Sequence, residues 1–215
     1  MALSATVPPN STSTHMIRSA LAPALAALTL IAALLGACER DAARPVFPDI
    51  RFTDRPPIRL DAASVEVVDQ FRPSFKEPNV EHLFPVTPAQ AAGNWARDRL
   101  QATNPGAPRR VRFTIIDASV RETELPRTQG LRGAFTKDQA ERYDASAEVQ
   151  VDIMGPRGFA ERTVSAKASR SQTVPEGITP NQREQTWYDL TRALMADLDR
   201  QLEQEIRANF NYYVQ

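Results

Sequence analysis

Few side chains in this sequence are placed to do chemistry alone. Cys38 is the only cysteine among 215 residues. Its thiol has no disulfide partner within the chain, and one thiol is too few for a structural zinc site. His82 is the only histidine downstream of Cys38. No serine or cysteine nucleophile stands in a recognisable motif with it, so it reads as an ordinary loop residue. Glycine-rich phosphate loops, a G-x-S-x-G elbow, H-E-x-x-H and other metal-ligand clusters are absent from the sequence. Carboxylates are numerous but spread along expected solvent faces. A pair such as Glu203 and Glu205, two residues apart, cannot share one helix face. No catalytic residue, metal ligand or cofactor is assigned.

The surroundings of Cys38 are more specific. Met16-Ile17-Arg18 gives a short positive start, Ala20 to Ala33 an apolar run, and Leu34-Leu35-Gly36-Ala37-Cys38 closes it with small residues before the thiol. This resembles the lipobox of bacterial lipoproteins. The resemblance implies cleavage between Ala37 and Cys38, a diacylglyceryl group on the Cys38 sulfur, and anchoring in a lipid bilayer. Two or more acyl chains make such an anchor stable, at about 0.8 kcal/mol per buried methylene. In the sorting rule of enteric lipoproteins, aspartate after the cysteine retains the protein at the inner membrane. Glu39 stands there instead, which leans toward the outer membrane and a periplasm-facing domain. An uncleaved transmembrane anchor over Leu21 to Ala37 and a plain secretory signal are the other readings. The first is at the lower length limit for a span and contains Pro23. Met1 to His15 is polar and outside this pattern, so translation is expected to start at Met16.

The elements follow in order. Removing 37 residues from 215 leaves 178, enough for a single domain and a tether. Opposite charges balance at 26 each, which gives no global reason to expect a nucleic-acid partner. All basic residues except Lys76, Lys137 and Lys167 are arginine, a usage that GC-rich coding explains as well as an anion surface does. Residues 38–60 contain Pro45, Pro48, Pro56 and Pro57 and read as an extended tether. Phe47 and Phe52 within it could cover a domain edge or dock on a partner. Residues 61–215 form the expected domain. Ala63 to Val68 alternates as a strand, and Pro73, Pro78 and Pro85 break the next stretch into a loop.

Thr87-Pro88-Ala89-Gln90 and Thr179-Pro180-Asn181-Gln182 repeat one device: a threonine N-cap, proline at the first helical position, and glutamine to close a capping box. The first helix is expected over 88–102, with Gly93 either weakening it or marking close approach to a sheet. The second is expected over 180–208, with Trp187, Leu190, Leu194, Leu198, Leu202 and Ile206 as its buried stripe. Residues 110–120 read as a strand whose apolar parity changes near Ile116, from a bulge or from two covered faces. A polar loop over 122–133 and a helical turn at 136–139 come next. Ala145, Ala147, Val149, Val151 and Ile153 then alternate against polar neighbours. A turn at 155–158 returns the chain through Val164, Ala166 and Ala168. Phe210, Tyr212 and Tyr213 either fold back on the core or offer a hydrophobic contact.

The fold class expected is therefore α+β: a mostly antiparallel sheet of about four strands, in the order β-α-β-β-β-α, with two helices on one face. In size, lipobox, element order and long closing helix this is similar to small accessory lipoproteins of lipid transport and lipopolysaccharide assembly. The resemblance implies a non-enzymatic binding or assembly factor in the envelope with a protein partner there. A periplasmic hydrolase or transferase, its carboxylates meeting only in the fold, is the other class. A deep pocket with converging carboxylates would favour it, and a shallow apolar patch or an open strand edge the binding module.

Overall fold

The computed structural model describes residues 45–126 and 138–215. The expected lipidation and cleavage positions, Cys38 and Ala37, lie outside the described residues, as does most of the polar loop. Among the described residues seven strands and two helices follow in order: β1 (Ile58–Leu60), β2 (Val65–Asp69), α1 (Pro88–Arg99), β3 (Leu100–Ala102), β4 (Arg110–Asp117), β5 (Val120–Glu124), β6 (Gln139–Met154), β7 (Ala160–Pro175) and α2 (Pro180–Asn209). The class is α+β, as expected, with a mixed sheet of five strands.

The 16-residue β6 organises the sheet. Along one edge it pairs antiparallel with β4 and then β5; along the other it pairs antiparallel with β7. Register aligns the apolar set on one face, with Phe113 opposite Val151 and Val151 opposite Val164. The ladder shifts between Ile115 and Asp117, so Ile116 is the bulged residue and is 39% exposed while Ala118 and Val120 are buried. Of the two explanations for the parity change, the bulge holds. Beyond it lies β5, whose last three residues fall where the sequence reads as a loop: this mostly polar segment gains strand geometry from pairing with β6. Gln139 likewise opens β6 instead of closing a helical turn.

The five-stranded sheet is mostly antiparallel, as expected, and two pairings are parallel. β2 runs parallel to β4, reached by a crossover that contains α1, and β1 runs parallel to β3 in a separate two-stranded sheet. Residue 100 turns extended to form that second pairing, so α1 stops at Arg99, three residues short of the expected 102.

Both helices cover the apolar face. The small Ala166 and Ala168 of β7 are buried beneath α2, and all six expected stripe residues of α2 are buried. Thr179 and Gln182 close the complete capping box. At α1 the Thr87 hydroxyl accepts from Gln90 N, which is half of such a box. A Cβ on Gly93 would meet the Arg97 guanidinium at 3.5 Å and no strand, so this glycine marks no close approach to the sheet.

Residues 45–60, within the expected tether, pack with the rest of the described unit. Ile50, Phe52, Ile58 and Leu60 are buried in the core, and Asp98 at the end of α1 holds Arg51 (2.8 Å) and Phe52 N (2.9 Å). Prolines forbid a helix here but not burial. The chain's end folds back: Asp61 N donates to Tyr213 O, Gln215 N to Arg59 O, and Phe210 is fully buried, leaving Tyr212 88% exposed.

Candidate functional site

The buried charges come first, since they are where acid–base chemistry would be sought. Asp199 on α2 accepts from Trp95 Nε1 at 2.7 Å and Arg99 Nε at 3.1 Å, and pairs with Arg55 Nη1 at 2.6 Å. Arg99 also donates to the Pro56 carbonyl and reaches Glu203 at 2.5 Å. Burial works against the charge on Glu203, but the hydrogen bond from Arg207 and the charges of Arg99 and Arg207 prevail and hold its carboxyl below the ordinary range. Every carboxylate here is matched to a cation or donor. The cluster clamps residues 55–56, α1 and α2 together. Glu205, two residues on, instead accepts from Asn209 on the helix surface.

The outer sheet face is similarly paired. Arg112 meets Glu66 at 3.1 Å, Lys167 meets Glu148 at 2.9 Å, and Asp152 accepts from Thr163 at 2.6 Å and Gln150 at 3.0 Å. Among the described strands β7 pairs with β6 alone, so its second edge is open, guarded by Arg162, Lys167 and Arg170 in the manner of protected edges.

A different arrangement lies in the strap over 70–87, between β2 and α1. Pro73, Pro78 and Pro85 deny it a regular ladder, and it is fixed by separate contacts instead. Val80 N donates to Val120 O at 2.9 Å and Glu122 N to Pro78 O at 2.8 Å, docking the strap on the outer edge of β5. At its far end Phe84 stacks on Trp187 with centroids 5.0 Å apart, and Tyr143 meets both rings edge-on. Burial, then the hydrogen bond to Glu141, push the Tyr143 phenol well above its ordinary value. A single 3-10 turn, Glu81–Leu83, joins these anchors.

Two hollows flank this turn. One, about 360 Å³, is lined by Asp69, Phe71, Pro73, Phe75, Glu81, His82, Thr87, Ala89 and Ala118. The other, about 490 Å³, gathers Glu77, Glu122 and Glu124 with Asn79 and Leu83. Phe75 and His82 line both, their rings edge to face at 5.3 Å. Phe75 is 67% exposed at φ 54°, a left-handed backbone that costs a bulky residue about 1–3 kcal/mol. Leu83 beside it is 53% exposed. The strap thus spends backbone strain and exposed apolar surface at one place.

Beneath it, Glu81 is 97% buried (3% exposed). Its Oε2 accepts from Val120 N at 3.2 Å, while Oε1 has no hydrogen-bond partner among the described residues. Leaving a buried acceptor unsatisfied costs about 1–3 kcal/mol, more if charged. Glu122 is pushed above the ordinary carboxylate range by burial, then by Glu141, Glu77 and Glu124, against the opposing charge of Arg183.

His82, a loop residue by sequence, lies in the exposed part of the 3-10 turn, and nothing in the sequence singles out Glu81, Phe71 or Phe75. The stretch as a whole shows only aromatic residues set among acids and interrupted by prolines. Among the described residues no three potential ligands gather for a metal ion, and no helix is long and apolar enough to cross a membrane.

No family model matches the chain, and no curated protein matches it. Among solved structures it is similar to a candidate lipoprotein from Caulobacter crescentus, at 10% identity over 67% of this chain and 88% of that one, with a TM-score of 0.35. A minor lipoprotein from Acinetobacter baumannii aligns at 17% identity over 72% and 96%, TM-score 0.36. A candidate neuraminyllactose-binding hemagglutinin homologue from Helicobacter pylori aligns at 10% identity over 74% and 91%, TM-score 0.32. At these scores, fold and role have to be argued from the chain itself.

Proposed function

We propose that this chain is a lipid-anchored, non-enzymatic binding or assembly factor of the bacterial envelope, held by acylated Cys38 and facing the periplasm, with the outer membrane favoured by Glu39. The observation that carries the reading is that the strap and the start of the folded unit share one end of α2. Phe84 of the strap stacks on Trp187, and Phe47 packs against the next residue, Tyr188, at 5.2 Å. Seven residue steps separate Cys38 from Pro45, a reach of about 25 Å at most. An anchor at Cys38 would hold Pro45 within that reach of a bilayer, and the exposed Phe75 and Leu83 of the strap are apolar surface of the kind that suits a partner.

A photo-crosslinking side chain at Leu83 in intact cells tests the proposal. It should give a discrete envelope adduct that disappears with Cys38→Ala. An adduct unchanged by Cys38→Ala, or none, would contradict it.

A further inference from the structure

A second exposed surface lies at the far end of α2 from the strap, and we propose that it rests on the bilayer, with its arginines on anionic lipid headgroups and its aromatic rings in the interfacial layer. The proposal goes beyond the binding role above. It assigns the side of the protein that faces lipid, whatever group anchors the chain.

Three segments distant in sequence build this surface. The turn between β6 and β7 is closed by Gly155 N donating to Phe159 O at 2.9 Å. The start of β4 lies beside it, with Arg110 opposite Met154 and Arg109 Nε donating to Glu161 at 3.0 Å. The last residues join them: the Arg109 guanidinium lies over the Tyr213 ring, 5.3 Å from its centroid, and Tyr213 OH reaches Glu161 at 3.4 Å. Here Phe159 is 75% exposed and Tyr212 88%, the two most exposed aromatic rings among the described residues.

The charges around these rings are one-sided. The acidic side chains in this contact set, Glu161 and Asp61, are both taken by Arg109, at 3.0 and 3.9 Å. Arg110, Arg157 and Arg162 are exposed and form no ion pair among the described residues; Arg162 donates only to the Glu161 backbone carbonyl. A neutral partner would leave those guanidiniums unmatched, and a soluble anion would leave the rings in water. An anionic bilayer surface meets both needs. Its phosphate oxygens suit the arginine fork, its interfacial layer takes up rings that are apolar in body and polar at the tip, and each arginine near it strengthens the contact about fivefold. The strap meets α2 at Trp187, near the start of the helix, whereas this surface follows its last residue, Asn209. Roughly 30 Å of helix lies between them, so a partner on the strap and lipid at the other end do not compete.

The test uses the full-length protein with its own anchor, reconstituted into phosphatidylcholine vesicles with or without phosphatidylglycerol. An environment-sensitive fluorescent amino acid replaces Tyr212, or Lys76 on the strap as a control. With phosphatidylglycerol present, the label at 212 should shift its emission to shorter wavelength. Brominated lipid should quench it at least threefold more than in phosphatidylcholine alone. High salt or the pair Arg110→Gln with Arg157→Gln should abolish the difference, Phe159→Ala should reduce it, and the label at 76 should show none. Each of these changes is at an exposed side chain, so folding is retained. An equal response in both lipids, a response that survives loss of the two arginines, the same response to soluble heparin, or a response at 76 in place of 212 overturns the proposal. If that happens while the Leu83 adduct persists, the lipid-facing side is wrong and the binding reading stands.

Discussion

Arg99 and Asp199 stand 100 residues apart in sequence and meet at 3.1 Å in the interior, where their side chains are 0% and 2% exposed. Removing one partner from such a pair leaves an uncompensated buried charge. The pair is what ties α1 to α2, and with Arg55 it reaches the segment ahead of β1.

Asp199→Ala should lower unfolding free energy by about 3–5 kcal/mol, measured by urea denaturation. The double replacement Arg99→Met with Asp199→Leu should recover part of that loss, because the fully buried Arg99 is then not left unpaired, while Trp95 Nε1 still loses its acceptor. A cost below about 1 kcal/mol for Asp199→Ala would show that the cluster is solvated in solution.

Gly93 lies mid-helix in α1 with room for a methyl group beside the flexible Arg97 side chain. Gly93→Ala should stabilise the protein by about 0.5–1 kcal/mol, read as an increase in melting temperature.

Two carboxylates should pull stability in opposite directions with pH. The hydrogen bond from Arg51 lowers Asp98 below its ordinary range. Its contribution is complete above the unfolded value and is lost as pH falls through the lower folded one. Asp98→Asn should therefore cost stability at neutral pH, with the difference from wild type closing in acid. Glu122 is raised, so its contribution is present below the ordinary glutamate range and lost as pH rises through the raised value. Glu122→Gln should stabilise at neutral pH and become silent in acid. Denaturation series across pH check both signs.

What the sequence made legible was local. The alternation in β6, the two threonine caps, the stripe of α2 and the parity change at Ile116 are each set by residues close along the chain. What it hid depends on distant partners. Phe52 and Ile50 lie among prolines that read as a tether, and only the groove beside α1 decides that they are buried. The parallel pairing of β2 with β4 joins segments separated by a whole helix. β5 carries mostly polar residues, and its strand geometry comes from β6. Arg99 looks like any other arginine until Asp199 is opposite it. Glu81 gave no sign of its burial, since nothing near it in sequence predicts that the strap closes over β5.

The role proposed depends on attachment to a bilayer, and the amino terminus of the native protein reports it directly. Intact-mass and peptide mass spectrometry of the native protein extracted from membranes should find Cys38 at the amino terminus carrying a thioether-linked diacylglyceryl group. An amino terminus elsewhere, with the Cys38 sulfur unmodified, would contradict the account.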